Sequence, residues 1–467
     1  MADSCQAAAM TQSVQLPLWL LILILAFAAV TFASHFLFPS VRWFFRRRME
    51  RVVARLNERL ERPIEPFKLL RRHDMIQRLI YDPGVIEAVA EHARATGTPE
   101  EVVFQRARRY AREIVPSFSA TLYFGVAIRM ARLLSRAFYR VRLGHADEAA
   151  LRGISPDATV VFVMNHRSNM DYVLVTYLIA ERAALSYAVG EWARVWPLSW
   201  LIRAMGAYFI RRRSDDALYR RVLARYVRMA TAAGVAQAVF PEGGLSLDGR
   251  VGAPKLGVIS YILSAFEEGR GRDVVFVPVA LNYDRVLEDR MLLAAGRRGK
   301  RRFRPRWRSA LRYLARHLWL RLRGRFLRYG HAAVNFGRPL SLSEFAGSGG
   351  GALTAGRLGQ ELMARIRAVM PVLPVPLVAE CLLAAEGPLR RDEVIARVRA
   401  RRCPPPQGEG VCFGAPPPRG EVEVAIGHLL MRRLVREGPE GLRVVEEERP
   451  LLGYYAASIA CCGGDAR

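Results

Sequence analysis

The chain has few cysteines and few acidic residues for its length, and both deficits narrow what it can be. Its six cysteines form no CxxC pair and no Cys/His set with metal-ligand spacing, so we expect reduced thiols without a disulfide framework or metal centre. Only 43 Asp and Glu oppose 71 Lys and Arg, which gives a net charge of +28. This excess predicts an anionic partner: a nucleic acid, an anionic membrane surface or an acidic substrate.

Positive charge is also missing ahead of the first apolar run, from Leu16 to Phe38. A run of this length suffices for a helix across a hydrocarbon core of about 30 Å. A secretory signal peptide, the alternative suggested by Ala33-Ser34, carries its positive charges before the apolar stretch. Here the arginines 42, 46, 47 and 48 follow it, with aromatic residues among them. We therefore predict a transmembrane anchor at 16–38 and, by the positive-inside rule, a cytoplasmic remainder at a bacterial inner membrane.

The rest of the chain divides by composition, without internal repeats. An N-terminal segment with the anchor (1–40) precedes a basic, helical region (41–145), in which Val103, Ala107, Tyr110 and Ile114 recur at helical spacing. An α/β domain is predicted for 146–345. A Gly-rich linker (346–359) and a small, mainly helical C-terminal domain (360–467) with a Pro-rich loop at 403–418 follow.

Within the α/β domain, short β-branched runs alternate with amphipathic segments. Strands are predicted at 159–163, 186–189, 208–210, 235–240, 274–281 and 332–336, and helices at 169–181, 192–205, 215–233 and 255–268. Alternation of this kind is typical of an α/β sheet whose active-site loops lie at strand ends.

The segment 293–328 is strongly basic and contains no acidic residue. Trp307 and the leucines 311, 314, 318 and 322 fall on one helical face, with arginines beside them. This pattern suits a helix lying on an anionic bilayer. A solvated basic face over an ordinary core stripe is an equal alternative.

The first predicted strand of the domain delivers a histidine to a loop, in the stretch Asn165–Asp171. On one continuous helix, His166 and Asp171 would be about 140° apart, because each residue turns by about 100°. The histidine therefore precedes the helix, with Ser168 or Asn169 as N-cap, and Asp171 can reach back to the imidazole. A carboxylate on one ring nitrogen leaves the other nitrogen as a general base.

Three further strand ends carry polar or special residues. Arg211, Arg212 and Arg213 can make charge-assisted contacts with phosphate, although most arginine clusters are solvated charge runs. Glu242-Gly243-Gly244 includes paired glycines, which allow the backbone to approach a ligand closely. Pro278 lies inside a strand, which predicts an edge or a special position.

These four sites, in this order, resemble the sequence blocks of the glycerophospholipid acyltransferases. Among these, the chain is most similar to the bacterial glycerol-3-phosphate acyltransferase and its eukaryotic relatives that act on glycerol 3-phosphate or dihydroxyacetone phosphate. The first block, a His, four residues and an Asp, is met by His166 and Asp171. The second is met by Gly206, Phe209, Ile210, Arg211 and Arg212; the third by Glu242, Gly243, Gly244 and Ser246, with Lys255 and Gly257 following; the fourth by Pro278, Tyr283 and Glu288.

The resemblance covers about residues 100–340 and resumes at 448–459, which look like the C-terminal signature of that subgroup. It implies a mixed sheet flanked by helices. The chain departs from the pattern at Leu245, where the third block has Arg, and this puts the acceptor in doubt. Arg250 or Lys255 are the candidates to replace the missing cation.

The resemblance also implies the chemistry and the roles of the site residues. His166 would take a proton from an acceptor hydroxyl as it attacks the thioester of acyl-CoA or acyl-carrier protein, and Asp171 would orient His166. Arg211, Arg212 and Lys255 would hold the acceptor phosphate. The pocket beside it would be formed by Glu242, Gly243, Gly244, Ser246 and Pro278.

We expect no metal or redox cofactor for such a reaction. The expected acceptor is the sn-1 hydroxyl of glycerol 3-phosphate in phospholipid biosynthesis, and the alternative is lysophosphatidate or another lysophospholipid. A nucleic-acid-binding protein would explain the charge but not the four blocks, so we expect a lipid surface and not a nucleic acid as partner. A catalytically dead scaffold would have lost His166 or Asp171, and both are present.

Overall fold

The computed structural model describes residues 17–179, 183–190, 198–211, 216–268, 272–298, 319, 323, 329–347, 352–401 and 417–462. The chain forms two compact units, Met1–Leu60 and Glu61–Arg467. The predicted domain boundaries within the second unit stay predictions. The predicted basic surface helix (Trp307 to Leu322) and most of the Pro-rich loop lie outside the described residues.

The first unit is built on one long helix, α1 (Leu18–Asn57). The helix begins directly after Pro17, whose carbonyl accepts hydrogen bonds from the amides of Leu20 and Leu21. Apolar and arginine-rich sequence form one continuous element here. Among the residues that the structure describes, no helix is both long and apolar enough to cross a membrane. The predicted transmembrane anchor at 16–38 is therefore not supported.

The second unit starts with a helical layer. Its elements are α2 (Pro66–Leu69), α3 (Arg72–Ile80), α4 (Pro83–Thr96), α5 (Glu100–Ile114), α6 (Ala120–Leu122), a π-helical turn (Tyr123–Ala127) and α7 (Ile128–Phe138). Sequence signals set the ends of α4, because Asp82 caps the amide of Gly84 and Gly97 closes the helix at φ 63°. The predicted apolar face of α5 is buried, including Val103, Ala107 and Ile114.

The centre of the unit is an eight-stranded mixed sheet. Its strands are β1 (Arg140–Ala146), β2 (Thr159–Met164), β3 (Ser186–Val189), β4 (Tyr208–Phe209), β5 (Gln237–Val239), β6 (Val274–Tyr283), β7 (His331–Phe336) and β8 (Leu340–Ser341). The order is β1-β7-β6-β2-β5-β3-β4, with β8 also paired to β6. Strands β2 to β6 run parallel, and β7 and β8 are antiparallel to β6.

Every strand predicted from the sequence is present, within about three residues at its ends. The sequence did not predict β1, because three of its seven residues are arginine or histidine and it lacks an apolar run. In the structure β1 is half exposed at the edge of the sheet and pairs with β7.

Helices flank the sheet: α8 (Glu148–Arg152), α9 (Met170–Ile179), α10 (Leu198–Ala204), α11 (Ala217–Ala232), α12 (Gly257–Glu268) and α13 (Asp289–Arg297). The C-terminal part contains α14 (Leu342–Gly347), α15 (Ala355–Ala368), α16 (Pro374–Leu383), α17 (Arg391–Ala400), α18 (Arg419–Met431) and α19 (Arg449–Ala456). It also contains a hairpin of β9 (Val435–Gly438) and β10 (Gly441–Val444), which the sequence interpretation missed. Helix α15 packs against β6, and α16 packs against both α18 and α19.

Candidate active site

The turn after β2 is fixed to the neighbouring strand β6 by one side chain. The amide of Asn165 donates to the carbonyl of Leu281 at 2.9 Å and accepts from its N–H at 2.7 Å. Both groups are buried, so this two-point contact sets where the chain leaves the sheet. His166 then lies in the turn, and α9 begins at Met170.

His166 and Asp171 form a buried pair in the predicted arrangement. The imidazole Nδ1 lies 2.8 Å from Asp171 Oδ2, and the two residues are 1% and 0% exposed. The other ring nitrogen, Nε2, is buried and has no hydrogen-bond partner in the described part of the chain. The carboxylate therefore favours the tautomer with hydrogen on Nδ1, which leaves Nε2 with a lone pair able to accept a proton.

Asp171 is held by more donors than the histidine alone. Its Oδ2 also accepts from the backbone amides of Arg167 (2.7 Å) and Ser168 (3.0 Å), and its Oδ1 accepts from the hydroxyl of Tyr283 at 2.6 Å. Four donors, the His166 ring included, therefore hold this buried carboxylate in place beside the imidazole.

The third predicted block closes on the same turn from β5. Burial raises the pKa of the Glu242 carboxyl, although its Oε1 accepts from the His166 amide at 3.0 Å and its Oε2 from the Gly252 amide at 3.1 Å. The Ser246 amide in turn donates to the His166 carbonyl at 2.8 Å. These contacts place the Glu242 loop as the support of the histidine backbone.

Gly243 of this block lies against Lys255, the lysine that the sequence predicts for the site. Gly243 has φ 63°, and a side-chain carbon added there would lie 2.6 Å from the Cδ of Lys255. Gly244 is buried beside it, and the amide of Lys255 donates to Pro241. A glycine at 243 thus serves both the left-handed backbone and the close approach of the lysine stem.

The fourth block reaches the turn through Glu288. Its Oε2 accepts from the Ser168 hydroxyl at 2.7 Å, and its Oε1 accepts from the side-chain amide of Asn169 at 3.0 Å. Burial is the largest cause that raises the pKa of Glu288. The third and fourth blocks, distant in sequence, therefore both hold the turn that carries His166.

Pro278 lies at a special position and not at a sheet edge. On one side β6 pairs with β2, and on the other it pairs with β8 up to Phe276 and with β7 from Val279 onward. Pro278 falls between these two stretches, where its carbonyl accepts from the Gly337 amide at 2.8 Å. The missing N–H faces the connection between β7 and β8, so no ladder hydrogen bond is lost.

Arg211, at the end of β4, is engaged by the helical layer. Its Nε and Nη2 donate to the two carboxylate oxygens of Glu113 at 2.9 and 2.7 Å, and this pairing raises the pKa of Arg211. The guanidinium also lies 5.0 Å from the ring centres of both Tyr110 and Tyr219. Arg212 lies outside the described residues.

The position of the missing block-three cation is apolar. Leu245 is buried in the core, whereas the Arg250 side chain is exposed. Near the same loop Arg167 is fully buried, donates from Nη1 to the Gly249 carbonyl and stacks 4.9 Å from the ring centre of Tyr454. The sequence interpretation missed Arg167, whose position beside His166 in the predicted turn was its only signal.

An aromatic wall borders the histidine ring. Phe240 lies 4.2 Å and Tyr172 lies 5.4 Å from it, centre to centre, and Tyr172 contacts Tyr187 at 5.8 Å. Apolar walls around a paired histidine strengthen its electrostatic interactions by excluding water.

Two family models match this chain, over different parts of it. The family model described as Acyltransferase matches residues 148–282, which include the turn and the Glu242 loop. The model described as Glycerol-3-phosphate acyltransferase C-terminal region matches residues 318–459.

Curated relatives carry the same name. The glycerol-3-phosphate acyltransferase of Xanthomonas campestris pv. campestris is 29% identical over 301 residues, which are 64% of this chain and 33% of the relative. That of Ectopseudomonas mendocina is 28% identical over 346 residues, 70% of this chain and 40% of the relative. The chain thus spans roughly a third to two fifths of the length of these proteins. The predicted resemblance to the glycerophospholipid acyltransferases is confirmed.

A solved structure was also matched: the 1-acyl-sn-glycerophosphate acyltransferase of Thermotoga maritima. It is 16% identical to this chain, and the match covers 56% of this chain and 81% of that protein with a TM-score of 0.30.

Proposed function

We propose that this relative of the glycerol-3-phosphate acyltransferases transfers a fatty acyl group from a thioester, acyl-CoA or acyl-carrier protein, to the sn-1 hydroxyl of glycerol 3-phosphate. The observation that supports it most directly is the buried His166–Asp171 pair, whose Nε2 is the one imidazole nitrogen not used to hold the pair together.

The reaction needs one group that both accepts and returns a proton. His166 Nε2 takes the proton of the acceptor hydroxyl as its oxygen bonds to the thioester carbonyl carbon. The tetrahedral intermediate then collapses, the C–S bond breaks, and the imidazolium returns the proton to the leaving sulfur. Asp171 stabilises the imidazolium between these steps, and Tyr283 and two backbone amides keep its charge in place.

Binding of the acceptor phosphate is assigned to Arg211, Arg212 and Lys255. The Arg211 fork holds Glu113 with Nε and Nη2, and its Nη1 makes no hydrogen bond to any described residue. Glu113 therefore orients the guanidinium and leaves one donor edge for a phosphate oxygen. We infer that Glu242, Gly243, Gly244, Ser246 and Pro278 act on the shape of the site and not on the reacting atoms.

A lysophosphatidate acceptor is the second candidate, and one observation favours it. Leu245 makes an apolar position where the related block carries a cation, which suits an acceptor with an acyl chain better than a small, highly charged one.

We also infer that the chain works at an anionic lipid surface. The net charge of +28 favours such a surface. The first unit adds apolar side chains that are exposed within it, including Trp19, Phe27 and Val30.

One assay tests acceptor and donor together. Purified protein is offered labelled glycerol 3-phosphate, dihydroxyacetone phosphate or lysophosphatidate, each with palmitoyl-CoA or a palmitoylated carrier protein. We expect the highest kcat/KM with glycerol 3-phosphate. A preference for lysophosphatidate would replace the acceptor, and no acyl transfer to any of the three would refute the proposal.

A further inference from the structure

A pocket of about 450 Å³ lies on the far side of Glu288 from the catalytic turn. It is lined by residues of the turn and the start of α13 between Asp284 and Met291, by Tyr329 and Val375, and by residues at and just beyond the end of α18, among them His428 and Arg432. Its volume is within the range of small-molecule sites, about 300–1,000 Å³. Of its lining residues only Glu288 belongs to the sequence blocks, and the proposed roles above give the pocket no ligand.

The three acidic residues of the pocket are each already bonded. Asp284 accepts from the His331 amide (2.7 Å) and the Val375 amide (2.9 Å), and it lies 2.8 Å from the His331 ring. Glu288 accepts from the catalytic turn, and Asp289 accepts from Arg432 at 2.5 Å and from a tyrosine hydroxyl. These carboxylates are therefore committed to the fold and do not present free negative charge to a ligand.

The cations of the pocket are not all committed in the same way. Arg432 pairs with Asp289, and Arg290 pairs with Glu448 at 2.7 Å. The Arg285 guanidinium instead lies over Tyr329, 4.1 Å from its ring centre, and donates no side-chain hydrogen bond to any residue that the structure describes. A half-buried guanidinium held against an aromatic ring keeps its N–H donors available, and these donors match phosphate oxygens.

His428 faces the same space from α18. Burial is the main cause that lowers its pKa; Arg285, His331 and Arg140 lower it further, and Asp284 opposes them. The imidazole is therefore neutral near pH 7, and an anion bound beside it would raise its pKa. Once protonated, His428 would be a second positive partner for such an anion.

We propose that this pocket binds the phosphate group of a substrate, with Arg285 as the charged ligand and His428 as the second donor. This inference rests on the proposed function for the identity of the ligand. Because Arg211, Arg212 and Lys255 are assigned to the acceptor phosphate, the expected ligand is the acyl donor with its nucleotide phosphates, and binding of the acceptor here would overturn that assignment. The Glu288 carboxylate joins the pocket to the turn that carries His166, so occupancy and catalysis share one wall.

The test measures binding directly by calorimetry, without turnover, with three probes: inorganic phosphate, glycerol 3-phosphate and desulfo-CoA. Arg285→Gln should weaken binding of the recognised probe by about ten- to hundredfold, because a charge-assisted contact is removed. The matched control is Arg290→Gln, which lines the same pocket but loses only an exposed ion pair and should change the affinity by less than about twofold.

His428 provides a second, independent measurement. Wild-type binding should tighten as the pH is lowered, with net proton uptake by His428, seen as a dependence of the binding heat on the buffer. His428→Gln should remove that uptake and keep the fold, checked by its unfolding midpoint.

The probes separate the two sources of phosphate. Arg285-dependent binding of desulfo-CoA alone assigns the pocket to the donor, and Arg285-dependent binding of glycerol 3-phosphate assigns it to the acceptor. Binding unchanged by Arg285→Gln, or no binding of any probe, would overturn the proposal. Turnover with His166 intact but no Arg285-dependent binding would overturn the pocket and leave the proposed reaction standing.

Discussion

Arg211 is a predicted site residue whose role differs between the sequence prediction and the contacts in the structure. The sequence interpretation makes it a phosphate ligand, while the structure shows it in a bidentate pair with Glu113. If both are right, Glu113 positions a cation that also contacts the acceptor. Substituting Arg211 and Glu113 separately and together distinguishes a phosphate-binding Arg211 from one that only stabilises the fold.

The size of each effect follows from the contacts. The pair has two charge-assisted hydrogen bonds, but Arg211 and Glu113 side chains are 32% and 17% exposed, so water screens part of their attraction. Two ring contacts at 5.0 Å add about 0.5–1 kcal/mol each. We expect Arg211→Ala to lower the free energy of unfolding by about 2–3 kcal/mol, with a coupling energy of about 1–2 kcal/mol to Glu113.

The kinetic expectation is asymmetric. Arg211→Ala should raise the acceptor KM about ten- to hundredfold, because a contact to phosphate is lost, and leave the donor KM unchanged. Glu113→Gln keeps the cation but loosens its orientation, so the acceptor KM should rise only about two- to fivefold. Arg221→Gln, which removes an exposed pair with Glu91 at 3.6 Å, is the matched control.

Denaturant unfolding of the wild type, the two single variants and the double variant gives the coupling energy between Arg211 and Glu113. Initial rates at varied acceptor and donor concentrations give the two KM values. If all variants lose stability while the acceptor KM stays within about twofold of wild type, Arg211 only stabilises the fold and the assignment as phosphate ligand is wrong. A rise in the donor KM alone would place the cluster at the donor site instead.

The remaining predictions concern the catalytic pair, its supports and the lipid surface. His166→Ala should lower kcat by at least about 10³-fold with an unchanged circular dichroism spectrum, and Asp171→Asn by about 10²–10⁴-fold, since it keeps the shape but loses the charge; retention of half the wild-type kcat in His166→Ala would exclude it as the base. Tyr283→Phe should lower the free energy of unfolding by about 1–3 kcal/mol, because Asp171 Oδ1 loses its donor; an unchanged unfolding midpoint would contradict this. Burial raises the pKa of Glu242 above 4.5, so the folded state binds this proton more tightly than the unfolded one. Stability of the wild type relative to Glu242→Gln should then fall as the pH rises from about 4.5 through the raised pKa, and a flat difference in urea titrations would refute it. Protein lacking residues 1–40 should float with anionic but not neutral liposomes, and the binding should weaken with salt; equal binding to both kinds would refute the charge-based attachment.

Part of the site was predictable because its signals are local. The short apolar, β-branched runs that predict β2 and β6 depend only on neighbouring residues, and the structure buries both strands fully. The reach of Asp171 back to His166 also follows from five residues of chain, since a turn must separate them for the pair to form. The ordered blocks are also a property of the sequence alone, and they indicate the family.

The membrane prediction shows the limit of a local signal. Hydropathy identified an uncharged run at 16–38, but it gave no information on where the helix containing it would end. In the structure that helix continues to Asn57 through the basic residues, and the criterion for a span is not met among the described residues.

Only the tertiary structure decided which side chains that are far apart in sequence contact each other. Glu113 meets Arg211 across 98 residues, and Tyr283 meets Asp171 across 112. The same holds for Arg285 stacked on Tyr329 in the proposed phosphate pocket. The sequence by itself determined the strands β2 to β7 and the residues at their ends, because backbone preference and runs of apolar residues are local properties. It missed the half-exposed β1 and the short strands β8, β9 and β10. The sequence did not determine which strand ends meet, because that depends on the order in which β6, β2, β5 and their neighbours pair. Pairing joins segments that are distant along the chain, and a local sequence pattern does not show which segments these are.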